Sequence, residues 1–321
     1  MDAFLELTIA NLTSPMILFF TLGLFAAILR SDLHIPEAIA KGVSLYLLVS
    51  IGFKGGESLS SQGLDTTLFL ALTAGIVLSA IIPLLAFKLL TYSTKLERID
   101  AAAIAAHYGS ISIVTFLAGV EALENSKITY EGYMVAVAAI METPAIVIGL
   151  WLARGKGAKL NKSIAREVLL NGSIVILVGS IVIAAITGEE GLNSIAPLIV
   201  DPFKGILCIF LLEMGLIAGR GIRVGNNKFR SEVVAFGLYM PVIGAVAGLI
   251  LGKLISLSEG GTALLAILSA SASYIAVPAA LRLALPKAQT SLCLSLSLGI
   301  TFPFNLTVGI PIYLSLAAWI S

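Results

Sequence analysis

Charged residues are scarce in this chain, and so are the residues that usually build catalytic or metal sites. Of 321 residues only 12% are charged, and there are two cysteines and two histidines. A soluble protein of this length shows far more polar surface to water, so the composition excludes that class. Cys208 and Cys293 both fall inside apolar runs, which predicts free thiols rather than a disulfide. No His/Cys cluster has metal-ligand spacing, so no metal centre is predicted.

Two other signals are also missing. The formal net charge is +1, and no basic run is interleaved with aromatic residues, so nucleic acid is excluded as a partner. The segment Met1–Glu6 has no basic region of the kind that opens a secretory signal. The first apolar segment is therefore expected to be a retained span rather than a removed signal peptide.

Apolar residues are what the chain has in abundance. They make up 58% of the sequence, with a mean hydropathy of +1.02. A helical span needs about 20 apolar residues. Ten runs approach this length, at residues 12–30, 35–53, 66–92, 100–120, 129–153, 168–187, 196–217, 232–256, 261–284 and 289–320. The sequence therefore predicts an all-α membrane protein with ten transmembrane helices embedded in a lipid bilayer.

The basic residues predict how these spans are oriented. Fifteen lysines and arginines fall in the loops on one side, and four lysines fall on the other side, at positions 54, 127, 204 and 253. Basic loops face the cytoplasm in membrane proteins. The protein is therefore predicted to lie in the cell inner (plasma) membrane with both termini extracytoplasmic.

Several landmarks of the first half recur in the second half. The recurring motifs are Ser110-Ile111-Ser112 and Ser271-Ala272-Ser273 at an offset of 161, Gly52-x-x-x-Gly56 and Gly215-x-x-x-Gly219 at 163, and Pro144 and Pro303 at 159. Each half holds five spans, an odd number, so the second half is predicted to be inverted relative to the first. Two inverted repeats broken by small polar residues at membrane depth are the usual plan of a secondary transporter.

The predicted boundaries follow from this repeat. The first inverted repeat covers residues 1–153, a short basic cytoplasmic linker covers 154–167, and the second repeat covers 168–321. The linker is the most basic stretch of the chain. It is either a plain positive-inside anchor or a docking strip for a cytoplasmic regulator or anionic lipid.

Spans four and nine each carry a Ser-x-Ser near the middle, where a helix is predicted to break. Small and hydroxyl side chains allow unwinding there, and Pro278 favours the break in span nine. Two half-helices that face each other would aim their positive dipole ends at one point. The candidate anion-binding residues are Gly109, Ser110, Ile111, Ser112, Ser271, Ala272, Ser273 and Tyr274. The alternative is ordinary packing of small residues between membrane helices.

Glu142 is the most informative carboxylate. A charge at the centre of a span costs about 2.5 to 3.5 kcal/mol, and the run from Met134 to Leu150 holds no basic residue. A Na⁺ ion, a proton or serine hydroxyls from crossing helices are the candidates that stabilise it, and a structural hydrogen-bonded glutamate is the alternative. Asn305 is its neutral counterpart in the second half.

Three further polar residues lie within spans. Glu213 in span seven is interpreted as structural. His107 is either a proton carrier or, more simply, a hydrogen-bonded wall residue. Lys41 is expected to pair with Glu37 on the same helix or to extend its ammonium outward.

The residues near the two Ser-x-Ser motifs include no arginine or lysine. A dianion would therefore have no bidentate cationic partner. Helix dipoles of about half a charge each, assisted by a bound cation, suit a small monoanion.

Several segments together resemble one known family, the sodium-dependent bicarbonate transporters of the SbtA type. The resemblance runs in order over nearly the whole chain. It is carried by Ile35-Pro36-Glu37-Ala38-Ile39, Gly55-Gly56, Glu124–Glu131, Met141-Glu142-Thr143-Pro144-Ala145 and Ser269–Arg282.

The resemblance implies a trimer that transports Na⁺ together with bicarbonate. It implies a core of spans three to five and eight to ten that moves, in an elevator-like manner, against a gate of spans one, two, six and seven. A PII-like cytoplasmic regulator is a further partner known in the family. With Na⁺ as the coupling ion, the candidate cation-binding residues are Glu142, Thr115, Ser269 and Asn305.

The function predicted from the sequence is therefore Na⁺-driven symport of bicarbonate by alternating access. The alternative within transport is another small monoanion, such as a monocarboxylate. An enzyme is disfavoured because no nucleophile-base pair or metal set lies at membrane depth, and no catalytic residue is predicted. A channel is disfavoured because the predicted site uses broken helices rather than rings of like charge.

Overall fold

The computed structural model describes residues 13–62, 65–154, 172–225, 230–275, 277–278, 280–281 and 285–320. Within these ranges the secondary structure is helical and no strand occurs. The predicted linker beyond Arg154, the first residues of the sixth run and Arg282 lie outside the described residues.

The helices follow the predicted apolar runs. They are α1 Pro15–Ile28, α2 Glu37–Gln62, α3 Thr66–Ser93, α4 Arg98–Gly109, α5 Ile113–Asn125, α6 Met134–Arg154, α7 Gly172–Ile199, α8 Phe203–Gly225, α9 Ser231–Leu254, α10 Glu259–Ala270 and α11 Thr290–Ile320. Helix α11 includes two π-helical segments, Ser297–Thr301 and Asn305–Gly309.

Seven helical segments of the described chain are long and apolar enough to cross a membrane, with α4 and α5 taken together as one of them. Helices α1 and α10 are apolar but shorter, and α8 carries four charged residues. The protein is thus a multi-pass membrane protein in which the count of ten spans stays a prediction.

Several predicted boundaries are wrong. The second run was expected to end at 53, with Lys54 in the following loop, but α2 continues to Gln62 and includes Lys54. The sixth run was expected to end at 187 and the seventh to begin at 196, but α7 continues to Ile199 and α8 begins at Phe203. The apolar run stops at Gly188, where the backbone turns with φ 59, and a further helical segment follows. Glycine adopts this conformation without strain, so the helix changes direction there and the polar residues after it remain helical.

The two Gly-x-x-x-Gly motifs bring pairs of helices into close contact. Helix α2 packs most extensively on α7, and α1 packs most extensively on α8. Gly52 and Gly56 lie directly against α7, and Gly215 and Gly219 lie directly against α1. Small residues allow membrane helices to approach in this way. A second group consists of α3 to α6 with α9 to α11, in which α4 and α6 pack together and α9 packs on α10.

The substitution Gly56→Ala is expected to lower the stability of the folded protein by about 1–3 kcal/mol, because it overpacks this contact. A Cβ at Gly56 would clash with the carbonyl oxygen of Ile181 and lie 2.8 Å from the Cβ of Ala184. Thermal unfolding in detergent measures the effect. Gly42→Ala on the same helix is the control, since its Cβ meets nothing within 4 Å. Equal midpoints for the two variants would contradict the packing assigned to Gly56.

Candidate functional site

Both predicted helix breaks are present. Helix α4 ends at Gly109, Ser110 is extended, and α5 begins at Ile113 with Ser112 as its N-cap. Helix α10 ends at Ala270, Ser271 is extended, and the chain stays non-helical through Ile275. The first break is tightly packed, because a Cβ at Gly109 would clash with the ring of Pro83 on α3.

Hydrogen bonds join the two breaks directly. The Ser112 amide donates to the Ser271 hydroxyl over 2.9 Å. The Ser273 amide donates to the carbonyl oxygen of His107 over 2.8 Å. These bonds place the unwound segments of the two halves against each other at one buried point. These bonds also use the backbone amides of Ser112 and Ser273, two of the predicted anion-binding residues.

His107 strengthens this junction. Its Nδ1 is hydrogen-bonded to the Ser273 carbonyl oxygen, which can only accept, so the ring carries its proton on Nδ1. The ring is fully buried, and Nε2 has no hydrogen-bond partner among the described residues. This geometry favours the wall-residue interpretation of His107.

A narrow cavity of about 20 Å³ lies where the breaks meet, with room for about one water molecule. Its lining consists of Leu48, Ile111, Ser112, Ile113, Glu142, Leu177, Ser273, Tyr274 and Ile275. Two broken segments, the carboxylate on α6 and apolar side chains from α2 and α7 therefore share one space. None of these lining side chains is basic.

Glu142 is 8% exposed and forms no salt bridge in the described part of the chain. Its helix is opened at this turn. Pro144 has no N–H, and the Ser79 hydroxyl on α3 donates to the Met141 carbonyl and accepts from the Ala145 amide over 3.1 Å. A hydroxyl inserted into the helix in this way satisfies the backbone groups that a proline kink frees. The kink holds the Glu142 turn against the breaks.

Hydroxyl groups without partners surround this junction. The Ser110 and Ser269 hydroxyls are buried and have no hydrogen-bond partner among the described residues. The Tyr274 hydroxyl is buried close to the Ser112 side chain. Buried polar groups are nearly always satisfied, so unpartnered ones indicate a ligand or solvent. The Ser112 hydroxyl accepts from the Thr115 amide and from the Thr115 hydroxyl, the latter over 2.9 Å, and keeps its own proton free to donate.

Asn305 is committed elsewhere. Its amide group donates to the Ala270 carbonyl, the last of α10, over 2.9 Å, and its oxygen accepts from the Tyr313 hydroxyl over 3.0 Å. It lies in the second π-helical segment, just after Pro303. The side chain therefore caps the second break rather than lining the cavity.

The predicted site residues thus divide into two groups. The cavity is lined by Ile111, Ser112, Ser273, Tyr274 and Glu142. The predicted residues that are buried but do not line it are Gly109, Ser110, Thr115, Ser269, Ser271, Ala272 and Asn305. The sequence did not predict four apolar lining residues, which are Leu48, Ile113, Leu177 and Ile275. Ile113 and Ile275 each lie next to a predicted residue, Leu48 lies one turn before Gly52, and Leu177 has no local signal.

Among the described residues no group of three or more His, Cys, Asp or Glu side chains is arranged to hold a metal ion. A lone carboxylate with hydroxyl oxygens is instead the kind of oxygen-rich environment that suits a weakly held Na⁺.

Comparison with known families gives one result. A family model described as the Na⁺-dependent bicarbonate transporter superfamily matches residues 15–318, nearly the whole chain. The match confirms the resemblance carried by the motifs. The comparison with curated proteins finds no match.

Proposed function

The chain belongs to the Na⁺-dependent bicarbonate transporter superfamily, and from this premise we propose that it is a secondary active symporter that couples bicarbonate uptake to inward movement of Na⁺. The observation that carries this proposal is the cavity where Ser112, Ser273 and Glu142 meet. It combines the N-terminus of α5, hydroxyl groups and one carboxylate, which together can hold an anion and a cation.

The anion is proposed to bind at the first turn of α5 and the two Ser-x-Ser segments. The N-terminus of α5 carries a positive partial charge of about half a unit. The Ser112 and Tyr274 hydroxyls face the cavity, and the buried Ser110 and Ser269 hydroxyls have no hydrogen-bond partner among the described residues. Hydroxyl donors and a helix end suit an oxyanion of one negative charge.

Na⁺ is proposed to bind beside Glu142. Within the described part of the chain its carboxylate is buried without a salt bridge, and a cation would offset the cost of keeping that charge at membrane depth. Thr115 and Ser269 are the candidates for further oxygen ligands. Because the Asn305 amide caps α10, we assign Asn305 to holding the second break in shape rather than to contacting the ion.

Alternating access is proposed to move one group of helices past the other. The core is α3 to α6 with α9 to α11, and the gate is α1, α2, α7 and α8. The reciprocal packing of the two glycine motifs, α2 on α7 and α8 on α1, supports the inverted repeat. We further propose that the protein forms a homotrimer in the plasma membrane with both termini outside. A PII-like protein is proposed as its cytoplasmic regulator.

Proteoliposome uptake tests the function. Labelled bicarbonate should accumulate when Na⁺ is present outside, and should not when K⁺ replaces it. Uptake that is independent of Na⁺ in purified protein would overturn the symport mechanism.

A small monocarboxylate is the second candidate substrate, because the electrostatic potential proposed for the site suits any anion of one charge. Because the cavity is narrow, a monocarboxylate larger than bicarbonate, such as lactate, would need more widening of it than bicarbonate does. Competition by excess formate and lactate against labelled bicarbonate separates the two candidates.

Dianions are expected not to compete. The cavity lining holds no basic side chain, and the Glu142 carboxylate offsets the charge of one Na⁺. Helix dipoles of about half a charge each then balance at most one negative charge, so the second charge of a dianion would be desolvated without a partner. A tenfold excess of sulfate, phosphate or succinate should leave bicarbonate uptake unchanged, whereas unlabelled bicarbonate should reduce it about tenfold. Equal inhibition by sulfate would show that the charge balance of the site is wrong.

A further inference from the structure

A second and larger cavity, which we call the vestibule, lies between α2, α5, α7 and α8. Its volume is about 560 Å³. Its lining includes six charged side chains, which are Lys54, Glu57, Glu121, Glu124, Asp201 and Lys204. The narrow cavity between the two helix breaks, called the central cavity below, is by contrast lined by one charged residue, Glu142.

The vestibule and the central cavity are lined by successive turns of the same helices, α2 and α5. Helix α2 contributes Leu48 to the central cavity and both Ile51 and Lys54 to the vestibule. Helix α5 likewise contributes Ile113 to the central cavity and Phe116 to the vestibule. A helix rises 1.5 Å per residue, so Lys54 lies about 9 Å from Leu48 along the helix axis. In the proposed orientation the vestibule opens to the outside, since it holds two of the four lysines predicted there.

The two vestibule lysines differ in their partners. The ammonium of Lys204 lies 2.9 Å from Glu121 and 3.6 Å from Glu124, so two carboxylates of α5 more than offset its charge. The Lys54 ammonium lies 5.0 Å from the centre of the Phe203 ring. Within the described residues Lys54 forms no salt bridge. A cation held over an aromatic ring keeps its charge available to a passing anion.

A hydrogen-bond donor shares this lining. Tyr130 lies in the loop between α5 and α6 and faces the vestibule. Burial, together with the neighbouring carboxylates Glu124 and Glu121, raises the pKa of Tyr130 to about 12. The phenol therefore stays protonated at neutral pH and can donate to an oxyanion.

We propose that Lys54, assisted by Tyr130, forms an outer station that binds a small monoanion before it reaches the central cavity. This proposal rests on the proposed function. Glu57 and Asp201 line the same space and repel anions, so the Lys54 ammonium is the favourable point on the anion's path. The same carboxylates attract Na⁺, so one vestibule serves both ions.

Initial uptake rates at varied bicarbonate and saturating Na⁺ test the station. In Lys54→Gln the KM for bicarbonate should rise about fivefold, because the local attraction is lost. The maximal rate and the Na⁺ concentration for half-maximal uptake should stay unchanged, since the central site is intact. Lys54→Arg should keep the low KM. Lys127→Gln is the control, because Lys127 is exposed and outside the vestibule lining.

Chemical rescue provides a second readout if Lys54→Gln folds poorly. In Lys54→Cys, modification with an aminoethyl methanethiosulfonate restores an ammonium, and a methyl reagent does not. The native Cys208 and Cys293 are buried, which favours reaction at position 54. A low KM regained only with the aminoethyl reagent is the expected result.

An unchanged KM in Lys54→Gln, or equal recovery with both reagents, would overturn the outer station. A wild-type protein without Na⁺-driven bicarbonate uptake would instead overturn the proposed function. The two failures are therefore distinguishable in the same assay.

Discussion

In Glu142→Gln, the Na⁺ concentration for half-maximal bicarbonate uptake is expected to rise about tenfold or more, which corresponds to about 1.4 kcal/mol of lost Na⁺ binding. Glu142 lines the central cavity on the kinked turn of α6 and has no salt bridge within the described residues. Glutamine keeps the size of the side chain but removes the charge that stabilises the ion. Uptake in proteoliposomes at varied external Na⁺ measures the change.

Glu213→Gln is the matched control. Glu213 is a second carboxylate within the predicted spans, on α8, and it does not line the central cavity. The Na⁺ dependence of bicarbonate uptake by Glu213→Gln is expected to match that of the wild type. If Glu142→Gln also kept the wild-type Na⁺ dependence, Glu142 would be a structural residue and the cation site would lie elsewhere.

In Ser112→Leu or Ser273→Leu, bicarbonate uptake is expected to fall about a hundredfold or more while the protein still folds. Both residues line a cavity with room for about one water molecule, so leucine fills the space that the anion needs and removes a hydroxyl. Labelled uptake measures the loss, and size-exclusion profile with thermal unfolding reports folding. Ser273→Ala, which adds no volume, is expected to retain partial uptake.

Thr73→Leu provides the control for adding leucine within a span. Thr73 is exposed on α3, and its hydroxyl only donates to the Phe69 carbonyl of its own helix. Uptake by this variant should be normal. Wild-type transport in both Ser→Leu variants would remove the Ser-x-Ser segments from the anion site.

Features that depend on local chemistry were predictable from the sequence. Small hydroxyl residues at membrane depth predicted the interruptions after Gly109 and Ala270, which the structure contains. The cost of a lone charge in a span singled out Glu142, and it does lie in the cavity between the breaks. In each case the feature follows from the chemistry of the residue itself, either a weak helix former or a charge that is costly to bury, so the sequence is enough to predict it.

Features that depend on long-range pairing were not predictable. Nothing local indicates that the Ser112 amide meets the Ser271 hydroxyl, or that the Asn305 amide caps the Ala270 carbonyl. Asn305 was expected as a cation ligand, and the sequence does not indicate the bonds that its side chain forms with Ala270 and Tyr313. The vestibule depends on four helices that meet only in three dimensions, and no single segment indicates it.

A structure determined with Na⁺ and bicarbonate tests the central claim most directly. We expect bicarbonate between Ser112, Ser273 and Tyr274 and a Na⁺ ion beside the Glu142 carboxylate. Both ligands should be absent when K⁺ replaces Na⁺. Bicarbonate bound at another location, with the cavity between the two helix breaks empty, would contradict it.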